Sequence, residues 1–454
     1  MQPAPRPRLA EHVVARLFRR EGQDRLVLLD AREDRAVVLD ARAWSVLCHA
    51  DGTRDLAGIV GAAGRFGADL EIAHAAALFA QLEALAWVAD GPPRGVLEGE
   101  AQPVGANDRR VVREMVAARY RCHGRGDCCR SYPTISLTPA DVHRVCATLH
   151  DEPTLTHRSH RAFVPTVGSA PTPMRAISLV DGACRFLEGD GGCAVHRRGG
   201  AQAKPVGCAW FPTRLVDDGV EVRAAPAVEC VCVARPDPSA SPLVPVLMVS
   251  ELPLGVTLVR VPERVRIGAR AEIDRARAIE TLDRLVDRTT DPARLLWTWG
   301  RALARADAWC EPADSCALDI HEIAQRFAAV AARAVARTGV ETTWRAAHDV
   351  VCRRLQVLGL AAGLLTAPTA VQLVIDTVGD AALERHVLEV AVFSRSLLVA
   401  DEVATAACDL ALQMWLARAV TVFVDASHDV TLREAPLAAV AATWRAQRLG
   451  PSAG

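Results

Sequence analysis

Between residues 122 and 232 the chain carries eight cysteines in loop-like, turn-rich surroundings: Cys122, Cys128, Cys129, Cys184, Cys193, Cys208, Cys230 and Cys232. Three of them fall within eight positions of "RCHGRGDCCRSYP", residues 121–133. What such a patch can fold into depends on the redox compartment. The N-terminal "MQPAPRPRLAEHVVARLFRR" lacks the unbroken apolar stretch of a signal peptide. No run of about 18 apolar residues occurs, and the best candidate, "AHAAALFAQLEALAWVA", is interrupted by Gln81 and Glu83. These features predict a cytoplasmic protein that makes no use of a membrane. Thiols stay reduced there, so the fourteen cysteines argue against a disulfide framework and for metal binding.

Spacing bears on which metal. The cysteines are arranged as C-x5-C-C, C-x8-C, a lone cysteine and C-x-C. None is the paired C-x2–4-C knuckle that zinc fingers favour. "CRFLEGDGGCAVH" reads as a hairpin with "EGDGG" at its tip. A regular hairpin would set Cys184 opposite His196 and hold the Cys184 and Cys193 sulfurs roughly 10 Å apart. A multi-iron cluster or two centres could bridge that gap, and eight thiolates match two four-cysteine clusters. An iron–sulfur cofactor, one or two 4Fe–4S clusters, is therefore favoured over zinc as the alternative. Arg121, Arg125, Arg130, Arg185, Arg197 and Arg198 lie near enough in sequence to offset the thiolate charge. His196 is a candidate additional ligand, His123 a weaker one. Cys146, inside the helix-like "TPADVHRVCATL", reads as packing.

The order "CHGRGDCC", "ISLTPADVHRV", "CRFLEGDGGCAVH", "RRGGAQAKPVGCAWFP" resembles the zinc- or iron-chelating cysteine-cluster (YkgJ-like) family with its CxxCxxCC signature. The resemblance covers about 120–232 and implies a metal-binding domain. Arg125 stands where the second signature cysteine would be, so the first centre is altered, lost, or completed by His123, Cys230 or Cys232.

Residues 1–92 read as a separate α+β unit. "VVARLF", "RLVLLD" and "RAVVLD" are strand-like, and helical patterns follow over 41–49, 54–66 and 71–86, with Asp51-Gly52 ending the first and Thr53 placed to cap the second. Three strands and three helices would suit a winged helix. Yet "EIAHAAALFAQLEALAW" has no Arg or Lys to meet phosphates, and the net charge is −1, so nucleic acid is not an expected partner. "LVLLDAREDRAVVLDARAWSVLCHADGTRDLAGIVGAAGRF" is similar to the PqqD-like family, the recognition domains of ribosomally made, modified peptides (RiPPs). That resemblance, running from about Pro7 to Asp90, implies that a leader peptide adds as a strand to the sheet edge and packs on the third helix. It would involve Val37, Val38, Leu39, Ala75, Leu78 and Leu82.

Residues 93–112 form a Pro/Gly-rich linker, 113–236 the cysteine-cluster domain, and 237–454 a mainly helical domain. In the last, "EIDRARAIETLDRLV", "DIHEIAQRFAAVAARAVA" and "TAACDLALQMWLARAVTVF" have the helical apolar period. Cys310, Cys316 and His321 lack an obvious fourth ligand; Cys352 and Cys408 read as core. The layout also resembles flagellin lysine-N-methylase, although neither a glycine-rich S-adenosylmethionine fingerprint nor a C-x3-C-x2-C triplet is present. The expected fold is multidomain α+β, with a winged-helix-like N-terminal domain. Two functions follow. One is a metalloprotein that recognises a peptide or protein segment and modifies it, by methyl transfer or redox chemistry, with no catalytic residue assigned. The other is a peptide-binding chaperone or adaptor with a structural metal and a separate modifying-enzyme partner.

Overall fold

The computed structural model describes residues 4–447, apart from 91–107, 151–162, 166–174, 311–317, 430–435 and breaks of five residues or fewer. Most of the linker, His123 and Cys316 lie outside the described residues. The chain is mixed α and β. It divides into two compact units whose boundaries differ from the linear order: 1–97, 125–209 and 336–352 form one, while 98–124, 210–335 and 353–454 form the other. The cysteine segment is split into three pieces, its two ends falling in the second unit, where the strand Val112–Glu114 pairs in parallel with Val222–Pro226.

In the first unit, β1 (Pro7–Leu9) pairs with β5 (Val88–Asp90), and β2 (Val13–Arg20), β3 (Gln23–Asp30) and β4 (Arg35–Asp40) form an antiparallel meander. Helices α1 (Ala41–Leu47), α2 (Leu56–Gly64) and α3 (Ile72–Glu83) follow. Asp40 starts α1 by accepting the amide N–H groups of Arg42 and Ala43. Asp55, rather than Thr53, caps α2 through the Gly58 amide at 2.8 Å. Gly52 makes the turn between these helices at φ +81°, a conformation that costs glycine little. Alternate residues Leu26 and Leu28 meet Val46, Ile59, Phe79 and Trp87 in the core. The Trp87 indole N–H donates to the buried Asp30 carboxylate at 3.0 Å.

This sheet is longer than the N-terminal segment alone can make it. The strand Leu179–Val180 pairs in parallel with β2, Leu179 against Phe18, and Ala183–Cys184 pairs with it in turn. The order is thus 183–184, 179–180, β2, β3, β4. A second core gathers Leu137, Val145, Leu149, Phe163, Phe186 and Val195. Its helix Pro139–Thr148 opens with a reciprocal capping box between Thr138 and Asp141.

The second unit joins a four-stranded sheet, ordered 258–260, 213–217, 222–226 and 112–114, to a set of helices. The expected helix over 272–286 begins only at Arg275. Glu272–Asp274 instead pairs with Arg264–Arg266, and Asp274 caps the helix through the Ala276 amide. The helix Val403–Phe423 is buried on most sides rather than along one stripe: Ala411, Leu412 and every residue from Met414 to Val420 lie inside. It packs on Pro292–Ala306, with the Trp415 and Trp297 rings 5.6 Å apart. By length and composition it is the one helix among the described residues able to cross a membrane, and over half of that window is buried in the protein. A bent pair, Val351–Leu364 and Pro368–Asp376, passes the same test only when the two are taken together. Buried charges are paired. Arg418 meets Glu384 at 2.7 Å and Arg354 meets Asp429 at 2.8 Å, while Arg395 lies against Asp218 and Asp283.

Candidate metal centre

Four stretches of the first unit bring thiols together. The short helix Asp127–Ser131 carries Cys128 and Cys129. Gly126, at φ +71°, lets it approach the turn at 187–191; a Cβ there would stand 2.6 Å from Leu187 Cδ1 and 2.9 Å from the Gly191 carbonyl. Arg125, in the place of the signature cysteine, is exposed, and its carbonyl accepts from Arg130 Nη1 at 2.8 Å. Cys208 lies on the helix Val206–Trp210. The Val206 amide donates to buried Asp141 at 3.0 Å, and Asp141 also takes Arg144 and its own Thr138 cap. Asp141 thus positions the Cys208 helix. The T-x-x-D box is readable in the sequence, whereas the second bond to residue 206 has no local signal.

The regular hairpin expected over 184–196 does not form. The Leu187 amide donates to the Cys184 carbonyl, Glu188 and Gly192 close the tip, and a helix starts at Ala194. Cys184 and Cys193, at the two ends of this irregular turn, both act on Cys129. His196, on that helix rather than a strand, is exposed.

The sulfurs act on one another. Cys128 Sγ lies 3.9 Å from Cys129 Sγ. Hydrogen bonding with Cys128 favours the Cys129 thiolate, but Cys184, burial and Cys193 outweigh it and push the thiol up to about 12. Burial likewise pushes Cys208 up to about 12, with Cys129, Cys193 and Cys128 adding to it and Lys204, the chain's only lysine, opposing it. Five sulfurs therefore share one neighbourhood. They are not closed about a point: among the described residues, no three His, Cys, Asp or Glu side chains are grouped so as to hold a metal ion as they stand.

The other three expected ligands belong to the second unit: exposed Cys122, half-buried Cys230 and buried Cys232. Cys146 packs beside the second core of the first unit, its thiol raised by burial. In the helical region the Cys310 carbonyl accepts from the Trp299 indole, His321 is exposed, Cys352 is buried, and burial pushes Cys408 up to about 12. All twelve described cysteines are outside disulfides.

For the expected peptide groove, β4 is an outer strand, with Val38 40% exposed and Val37 and Leu39 packed partly on the core. Leu78 is half-buried on α3. Ala75 and Leu82 are core residues, at 0% and 1% exposure, because the apolar stripe of α3 faces inward. A docked strand could reach Val38 and Leu78 but not those two. Comparison with known proteins finds no matching family model, no matching curated protein and no matching solved structure.

Thiolates are soft donors suited to zinc, copper(I) or iron–sulfur centres. Since only the thiolate binds, loading would release protons.

Proposed function

We propose that this chain is a cytoplasmic thiolate metalloprotein that docks a peptide or protein segment and takes part in its modification. The observation that carries the reading is the meeting of Cys128, Cys129, Cys184, Cys193 and Cys208 from separate stretches of one compact unit. Thiolate donor chemistry fits a zinc ion or an iron–sulfur cluster, which four of these five cysteines would hold. Five sulfurs suffice for one four-thiolate centre and not for two. When bound, an iron cluster supplies electron transfer, whereas zinc fixes the loops. The outer position of β4 and the exposure of Val38 support docking by strand addition, in keeping with the PqqD-like resemblance. The winged-helix-like character of this domain belongs to the same proposal.

The adaptor reading is favoured by one feature: five sulfurs can fill every position of a four-coordinate site and leave none open for substrate. Anaerobic purification followed by iron, sulfide and zinc analysis separates the two. Iron with equimolar sulfide supports a redox role, and stoichiometric zinc supports the adaptor. A chain free of both, with metal uptake unchanged in Cys129→Ser, rejects the centre. Peptides selected from a random library on the wild-type chain serve as docking probes. Val38→Asp is expected to abolish their binding while leaving metal content intact; unchanged binding rejects the sheet-edge site.

A further inference from the structure

In the second unit, the helices Pro292–Ala306 and Ile320–Trp344 enclose a cavity of about 40 Å³, lined by Trp297, Thr298, Arg301, Arg305, Asp319 and Glu322. A water needs about 10–15 Å³ of such space, so the cavity suits one small ion and excludes a nucleotide. Its floor is closed, since Trp297 and Thr298 are buried. Its walls carry unusual charge, with Arg326 standing beside them, outside the lining. Arg301 Nε lies 2.8 Å from Glu322, Arg305 Nη2 3.8 Å and Arg326 Nη2 3.9 Å, so three guanidinium groups share one carboxylate. Only Arg301 is in contact, and its buried Nε is not aligned to hydrogen-bond. Among the described residues, Arg305 and Arg326 have no nearer carboxylate. Asp319 also lines the cavity and caps the Glu322 amide at 3.0 Å, so three arginines stand against two carboxylates.

We propose that this cavity binds a small oxyanion, a phosphate or carboxylate group, which takes the guanidinium donors that Glu322 leaves unsatisfied. Arginine is the residue suited to this task, since its planar fork meets two oxygens of such a group at once. Glu322 acts as an internal competitor that gathers the three arginines while no anion is bound.

The test is calorimetric titration of the full chain with inorganic phosphate, and separately with acetate, at constant ionic strength. Saturable binding of either is expected, and the one that binds identifies the group. Arg305 and Arg326 are 63% and 37% exposed, so Arg305→Gln and Arg326→Gln should fold. Arg305→Gln, on the lining, is expected to weaken binding about tenfold, the effect of losing one hydrogen bond to a charged group, and Arg326→Gln, beside the cavity, to weaken it less. Glu322→Gln is expected to tighten it, and Arg385→Gln, in an exposed pair with Glu389, to leave it unchanged. A merely structural ion cluster gives no such opposition of sign. The absence of saturable binding for both anions, or weaker binding in Glu322→Gln, overturns the proposal.

Discussion

The ion pairs of the helical unit and the thiols of the other bring interior polar groups together in opposite ways. In the helical unit, the deeply buried cation Arg418 faces Glu384 (6% and 5% side-chain exposure), and fully buried Arg395 lies between Asp218 and Asp283. Opposite charges from its own chain complete that interior. The thiol-bearing unit instead gathers groups of one kind, whose ionisations oppose one another, with Lys204 the cation acting on Cys208. The Arg418 and Arg395 pairs need no ligand to be consistent. The thiol-bearing unit gains most from an added cation, so its stability should be linked to metal in a way the helical unit's is not.

Breaking a buried pair should show the contrast at its largest. Arg418→Met leaves Glu384 buried without its partner and is expected to cost about 3–5 kcal/mol in chemical denaturation. Next comes metal removal. Chelator should cost the thiol unit about 3–4 kcal/mol if metal was present at 100–1,000 times its Kd, with no chelator effect in Cys129→Ser. Equal chelator sensitivity of both units, resolved by hydrogen exchange, would erase the contrast. Thr138→Ala removes the capping box that orients Asp141, at a cost of about 1 kcal/mol, and should also lower metal affinity through the Val206 link. Unchanged affinity there would leave Asp141 a purely local cap.

The smallest effect concerns His386 in the helical unit, whose pKa is lowered by burial, against a weaker opposing pull from Glu389 and the Val233 backbone. A depressed value means the unfolded chain binds the proton first. Stability should therefore be lost as pH falls below about 6.5 and level off below the folded pKa, by at most one proton's linkage. His386→Gln should flatten that slope in stability measured from pH 7 to 5.

The legible parts of the fold were local. The strand-like runs at 13–18, 25–30 and 35–40, rich in Val and Leu and separated by turns, became β2, β3 and β4, which pair with their sequence neighbours. The helix-like "TPADVHRVCATL" became Pro139–Thr148 for the same reason, its Thr138–Asp141 box joining partners within four residues. Pairing between distant segments was not legible. Nothing in "LV" at 179–180 announces a parallel partner at 18–19, and nothing in "VRE" at 112–114 announces one at 222–224. The burial of Ala75 and Leu82 was missed because an apolar stripe looks alike whether it meets a core or a ligand. The hairpin at 184–196 misled because glycines in "EGDGG" permit turns that strand geometry alone does not foresee.

The way the five-stranded sheet ends has a consequence for self-association. One flank, β4, offers six residues of backbone; the other ends in a strand of two, Ala183–Cys184, too short to template a neighbour. Copies of this chain could join through this sheet flank to flank in twos, but growth would stop there, since among the described residues the sheet has a single long border. Fibre formation through this sheet is thereby closed off by the same few residues that deliver a thiol.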